Sequence, residues 1–189
     1  MKITDTEIPD VKLIEPAVFK DDRGYFFESW QKDKLKQAGL DLDFVQDNES
    51  YSTRGTLRGI HLQIKQPQGK LVRATMGEVF DIAVDLRPDS KTLGQWVGRH
   101  LSDENKHMLW IPPGFGHAFL VLSNTAIFNY KCTDYYLHED QHSLAWDDPE
   151  INVQWPDLGE TAISLSEKDQ HGDDFAEIIG RIKAMASAA

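Results

Sequence analysis

Two histidines in this sequence sit where a side chain could move a proton. His61 lies in the run Leu57-Arg58-Gly59-Ile60-His61-Leu62-Gln63, an apolar strand-like segment with a glycine inside it. His117 follows the loop Ile111-Pro112-Pro113-Gly114-Phe115-Gly116 and opens the next apolar run, Ala118-Phe119-Leu120. An imidazole ordinarily titrates near pH 6.5, so it can take up or release a proton around neutrality. On local context alone, a hydrogen-bonded core or rim histidine is the simpler reading of each, and a general base the sharper one. Alternation along a strand places Arg58 and His61 on opposite faces; a bulge at Gly59 would turn both toward one site.

A carboxylate stands in a similar position. In Val79-Phe80-Asp81-Ile82-Ala83-Val84-Asp85-Leu86, one face takes Phe80, Ile82, Val84 and Leu86 and the other Val79, Asp81, Ala83 and Asp85. Asp81 is a solvated residue if that second face meets water, and a site candidate if the sheet closes around a cavity. Among the basic residues, Arg54, Arg58, Lys65, Lys70 and Arg73 fall within twenty positions. They read either as a solvated basic strand pair or as a pocket for a small anion.

Other chemistries lack their signatures. There is no HxH or CxxC, no GxGxxG after a strand, no GxxxxGK[ST] and no GxSxG, which argues against Rossmann, P-loop and serine-hydrolase readings. One cysteine, Cys132, leaves no internal disulfide. A formal net charge of −11, enriched toward the C-terminal third in Asp147, Asp148, Glu150, Asp157 and Glu160, argues against a nucleic-acid polymer as partner. No apolar stretch is long enough for a membrane span and no secretory signal opens the chain, so a cytoplasmic enzyme is expected.

The elements that must position these groups are short. At 189 residues, without a linker or repeat, the chain reads as one domain over 1–189. The opening is extended, and Tyr25 to Trp30 is an aromatic strand candidate. Lys32 to Ala38 reads as a short helix stopped by Gly39. From Phe44 to Tyr136 the pattern is of short strands: Leu57–Gln63, Lys70–Met76, Glu78–Leu86, Trp96–Leu101, His107–Ile111, His117–Leu122 and Ala126–Tyr136, with Gly77 read as a tight hairpin turn. Such spacing means an all-β sandwich or barrel. Phe175, Ile178, Ile179, Ile182 and Met185 recur at helical spacing and predict a docked C-terminal helix over about 174–187.

Taken in order, eight blocks carry a resemblance. They are Gln46-Asp47-Asn48, Leu57 to Gln63, Gln68-Gly69-Lys70-Leu71-Val72-Arg73, Gly77-Glu78-Val79-Phe80-Asp81, Leu109-Trp110-Ile111-Pro112, Gly114 to Phe119, Tyr130-Lys131-Cys132-Thr133-Asp134-Tyr135-Tyr136 and Leu165-Ser166-Glu167-Lys168-Asp169. The chain resembles the dTDP-4-dehydrorhamnose 3,5-epimerase family from about Phe19 to Asp169. The resemblance implies a cupin-type double-stranded β-helix, or jelly roll, with core 19–169, forming a homodimer. It implies inversion of C3 and C5 of dTDP-4-keto-6-deoxyglucose through an enolate, in dTDP-L-rhamnose biosynthesis, without cofactor or metal.

The resemblance also assigns roles. His61 matches the base, Asp169 the carboxylate that pairs with it, Tyr130 the acid on the opposite sugar face, and Lys70 the cation at the enolate oxygen. Arg58 and His117 match residues lining the cavity, with Asp81 holding His117. Arg23, Phe26 and Glu28 lie in a block that reaches the nucleotide site, in part across the dimer interface. Gln46 and Asn48 are expected at the nucleotide, and Tyr136, given the strand parity of Tyr130, at the sugar. The segment between His61 and Lys70 is a residue shorter than the family's usual loop, and relatives that invert C3 alone share most of these motifs. A 3-epimerase therefore stands as the alternative. A metal-dependent cupin oxygenase is disfavoured because the expected HxH reads His61-Leu62-Gln63; a non-catalytic sugar-binding cupin would need neither Asp169 nor Tyr130.

Overall fold

The computed structural model describes residues 1–187 of the chain; the last two positions of the expected domain lie outside the described residues. Thirteen strands and two helices follow one another. They are β1 (Lys2–Asp5), β2 (Lys12–Glu15), β3 (Phe19–Asp21), β4 (Gly24–Phe26), α1 (Lys32–Gln37), β5 (Gln46–Thr53), β6 (Leu57–Gln63), β7 (Lys70–Met76) and β8 (Glu78–Asp85). Then come β9 (Trp96–Ser102), β10 (Met108–Ile111), β11 (Phe115–Val121), β12 (Thr125–Cys132), β13 (Gln141–Ser143) and α2 (Phe175–Ala186).

Two antiparallel sheets face each other, in strand orders β1-β2-β10-β7-β12-β5 and β13-β6-β11-β8-β9, and β3-β4 pair only with one another. This is the cupin-like, mostly β architecture expected, with its two helices outside the sheets. Between the sheets, Val72, Ala74, Leu109 and Phe128 of the six-stranded sheet pack on Val79, Ala83, Val97, Phe115 and Phe119 of the five-stranded one. The β8 alternation resolves accordingly. Val79 and Ala83 face this interior, while Phe80, Ile82 and Val84 face outward under Phe175, Ile178 and Ile179 of α2. Both faces of β8 are buried, so its sequence is apolar on both except at the buried Asp81 and Asp85. On the far side, Leu35 and Leu40, in and just after α1, cover Leu71, Met108 and Trp110.

Helix α2 starts where it does because Asp174 accepts from the Glu177 N–H at 2.8 Å, while buried Asp148 accepts from the Phe175 N–H at 2.9 Å. The tight hairpin expected at Gly77 is not one. Strands β7 and β8 belong to different sheets, and Gly77 (φ 72°) turns the corner between them. A Cβ there would lie 2.1 Å from the Thr125 carbonyl oxygen, so close packing of backbone, and not strand pairing, requires the glycine. The aromatic strand expected over Tyr25–Trp30 ends at Phe26. Strand β12 ends at Cys132, four residues before the expected Tyr136.

Strand β8 ends on Asp85, which is fully buried. Its carboxylate accepts from Arg87 Nε at 2.9 Å and Nη2 at 2.7 Å, and from Thr92 Oγ1 at 2.6 Å. Burial alone would raise its pKa; the Arg87, Ser90 and Thr92 donors outweigh it and hold the carboxyl at about 2. A folded-state pKa below the unfolded value stabilises the fold above about pH 4, and that contribution drains away as pH falls toward 2. The shift is worth about 2 kcal/mol. Asp85→Asn is expected to lower the unfolding free energy at pH 7 by about that amount and to flatten its dependence on pH between 4 and 2, as urea titrations would read.

Candidate active site

A cavity of about 330 Å³ opens at one end of the sandwich, with walls drawn from both sheets. Its six-stranded wall follows from register. Cys132 pairs with Lys70 on one side and Gln46 on the other, and Tyr130 pairs with Val72 and Asn48. Residues opposite one another share a face, so Lys70, Tyr130, Gln46 and Asn48 all point inward. Ser50 follows on the same face, two residues beyond Asn48, and lines the cavity as well.

The opposing wall depends on an irregularity. On β11, His117 pairs with His61 and Phe119 with Arg58, so two residues of one strand span three of the other. The extra residue falls at Gly59-Ile60, and the bulge brings both Arg58 and His61 to the cavity. Gly59 has φ 124°, and a Cβ on it would lie 2.4 Å from Ala118 Cβ and 2.5 Å from the His117 carbonyl oxygen. Gly59→Ala is expected to cost about 3 kcal/mol or more in thermal or urea unfolding, from the unfavourable φ and the clash together.

His61 Nε2 lies 2.6 Å from Asp169 Oδ1, and only 4% of the Asp169 side chain is exposed against 28% of His61. The carboxylate sits behind the ring while the ring itself remains open to the cavity. Burial pushes the Asp169 carboxyl up, but bonds from His61, Ser166 and the Gly59 N–H outweigh it and hold it below its ordinary value. An ionised carboxylate accepts at Nε2, which leaves the other ring nitrogen as the basic one. The sequence-distant Asp169 reaches this position on a short turn after Lys168.

Tyr130 stands on the facing sheet, packed against Phe128, and burial pushes its phenol above the usual value so that it stays protonated at neutrality. His117 Nε2 lies 2.8 Å from Asp81 Oδ2, with both side chains buried. Burial pushes His117 down and Asp81 up, so the pair favours its neutral form. The second Asp81 oxygen has no partner among the described residues.

Lys70 has no carboxylate within ion-pair distance among the described residues, and burial pushes its pKa down. An unpaired ammonium at a cavity wall is suited to developing negative charge on an oxygen. Lys70→Met is expected to lower kcat/KM about 10²-fold. Because its lowered pKa releases the proton earlier on the alkaline side, kcat of the unaltered enzyme should begin to fall below pH 10.5, as a pH–rate profile would read.

Of the other basic residues, Arg58 donates to Ser52 Oγ at 3.0 Å and lines the cavity, Arg54 is taken up by the Leu122 carbonyl, and Arg73 lines a neighbouring cleft. Tyr136 lies beyond the end of β12, so strand parity does not place it. It reaches the cavity because its loop folds back, its N–H donating to Gln46 Oε1 at 2.9 Å. Gln46 in turn donates to Asn48 Oδ1 at 2.9 Å.

Arg23, Phe26 and Glu28 are not brought to this cavity. Arg23 pairs with Asp21, Glu28 with Lys34, and Phe26 is 66% exposed on the β3-β4 hairpin. The two strands of that hairpin pair only with one another, and it is held to the body by Lys106, which donates to the Tyr25 hydroxyl at 2.9 Å.

Gln68, Ser50, Phe119 and Gln141 line the cavity without having been singled out. Ser50 was reachable from the period of Gln46 and Asn48, and Gln68 and Phe119 stand inside recognisable blocks. Gln141 carries no signal, since it arrives on the edge strand β13. Lys168, also unselected, shares with Arg58, His61 and Asp169 a second cleft of about 270 Å³ beside the first.

A histidine–carboxylate pair facing a protonated phenol, with an ammonium beside them inside a cupin-like barrel, defines an acid–base site for an anion-stabilised proton transfer. Residues 5–177 match the family model described as dTDP-4-dehydrorhamnose 3,5-epimerase. The chain is 56% identical over 178 residues to the dTDP-4-dehydrorhamnose 3,5-epimerase of Pseudomonas aeruginosa, covering 94% of this chain and 97% of that one. Its structure resembles that of dTDP-6-deoxy-D-glucose-3,5-epimerase from Legionella pneumophila in complex with dTDP-4-keto-L-rhamnose, at TM-score 0.89 and 49% identity over 94% of this chain and 96% of that one. It also resembles a 3′-monoepimerase from Streptomyces bikiniensis in complex with dTDP-quinovose, at TM-score 0.87 and 30% identity over 95% and 90%. The chain belongs to the dTDP-4-dehydrorhamnose 3,5-epimerase family, and it is an isomerase of the epimerase class.

Proposed function

We propose that this enzyme inverts C3 and C5 of dTDP-4-keto-6-deoxyglucose to give dTDP-4-keto-L-rhamnose, with His61 as base and Tyr130 as acid. The observation that carries the roles is that the His61–Asp169 pair and the Tyr130 hydroxyl stand on facing sheets across one cavity. The ketone at C4 acidifies the neighbouring C–H bonds. His61 takes the proton from one face, and Asp169 stabilises the resulting imidazolium. The electron pair moves onto the C4 oxygen, where Lys70 meets the developing charge. Tyr130 returns a proton from the opposite face, and inversion follows. No cofactor enters these steps.

His117, held by Asp81, and Tyr136 contact the sugar in this reading. Gln46 and Asn48 bind the nucleotide end, and the diphosphate lies between Arg58 and Lys168, the two cations that border the second cleft. Arg23, Phe26 and Glu28 then serve a second copy of the chain. The exposure of Phe19 and Phe26, 66% each on a hairpin whose strands pair only with one another, supports a homodimer in which that hairpin reaches the neighbouring site. The working unit is one domain spanning 1–189, acting in the cytoplasm; no described helix is long and apolar enough to cross a membrane.

The Streptomyces bikiniensis neighbour carries the second reading, inversion at C3 alone. NMR of the product formed from dTDP-4-keto-6-deoxyglucose separates the two. Inversion at both centres is the expected result, inversion at C3 only would establish the second reading, and unchanged substrate would overturn both.

A further inference from the structure

The rim of the cavity is fastened by two buried polar side chains that neither touch the cavity nor belong to the acid–base set. Asp140 is fully buried, and its Oδ2 accepts from the Lys65 and Gln66 N–H groups at 2.9 Å each. Gln63, 6% exposed, accepts from the Leu137 N–H at 2.8 Å and donates to the Gln66 carbonyl at 2.7 Å and the Tyr135 carbonyl at 3.2 Å. Together they join the end of β6 and the loop that follows it to the segment 135–141. That segment presents Tyr136 and Gln141 to the cavity, where the Tyr136 hydroxyl donates to Gln141 Oε1.

The join also extends the β6–β13 ladder. Register there runs Gln141 to Gln63 and Ser143 to His61, and the Leu144 N–H continues it to the Ile60 carbonyl at 2.9 Å. Beyond Gln63 the pairing stops, and the Asp140 carboxylate takes up two loop N–H groups that the ladder no longer pairs.

We infer that Asp140 and Gln63 are positioning residues for substrate capture. They hold Tyr136 and Gln141 as a preformed wall of the sugar pocket, so that binding does not have to order the rim. The inference rests on the reading of this cavity as the sugar site. Asp169, Tyr130 and Lys70 are set by other strands and turns, and His61, though on β6 with Gln63, is held independently by Asp169 and by its pairing with His117 of β11, so loosening the rim weakens binding more than chemistry.

The test is steady-state kinetics with dTDP-4-keto-6-deoxyglucose on Asp140→Ala, Asp140→Asn and Gln63→Ala, with thermal unfolding recorded beside it. The expected result is a KM raised about tenfold in the alanine variants with kcat within about threefold, and a smaller rise in Asp140→Asn, whose side-chain oxygen still accepts. An unchanged KM, or a loss in kcat alone that follows the folded fraction, would overturn the inference and reduce both residues to structural ones. Should Asp140→Ala fail to fold, Asp140→Asn and Gln63→Ala decide by the same criterion. An inactive unaltered enzyme would instead overturn the reading of the site itself.

Discussion

His61→Gln is expected to lower kcat by at least about 10³-fold while leaving the fold intact. General base catalysis contributes roughly 10²–10⁴-fold, and here the same imidazole must also hold the abstracted proton as a cation beside Asp169. Glutamine places its amide N–H where Nε2 stands, 2.6 Å from the Asp169 carboxylate in the native pair, so that buried charge stays hydrogen-bonded and stability is spared. His61→Ala, in contrast, should lose both activity and some stability, since it strands a carboxylate whose side chain is 4% exposed. The pair of variants therefore separates catalysis from support. Near-normal turnover in His61→Gln would remove His61 from the role of base.

Tyr130→Phe is expected to reduce turnover by about 10²–10³-fold with a distinct isotopic signature. The ring packing against Phe128 is retained, so the change is confined to the lost hydroxyl. Deprotonation by His61 can still occur, but the anion has no donor on the opposite face. The proton returns from His61 after exchange with solvent. Recovered substrate should therefore carry deuterium with its configuration retained, read by NMR after incubation in deuterated water. Recovered substrate without label, in an enzyme that no longer turns over, would mean that Tyr130 serves deprotonation and is not the opposite-face acid.

Much of the fold was legible because strand chemistry is local. The β6, β7 and β8 runs alternate or stay apolar as buried strands do, and the stripe from Phe175 to Ile182 repeats as a docked helix must. Strand β5, Gln46–Thr53, was not among the expected strands because its sequence is polar on both faces. Its inner residues line a wet cavity and its outer ones meet solvent, so burial imposes no pattern. Gly77 misled because a glycine at positive φ serves a hairpin and a sheet-to-sheet corner equally; only pairing distinguishes them.

The site divides along the same line. Arg58 and His61 share a cavity through the Gly59 bulge, a possibility that alternation itself raised. The contact of His61 with Asp169, 108 residues apart in sequence, has no local signal and came into view only through the resemblance. Gln141 had neither source. Arg23 and Phe26, on the β3-β4 hairpin, and Glu28, just after it, lie apart from the cavity within one chain.

Solvent-deuterium incorporation into the product of dTDP-4-keto-6-deoxyglucose is the most direct measurement of the central claim, that one base and one facing acid invert the two carbons flanking C4. The unaltered enzyme in deuterated water should yield product carrying deuterium at both C3 and C5, and His61→Gln should yield label at neither. Label at C3 alone, or label persisting at both positions without His61, would contradict it.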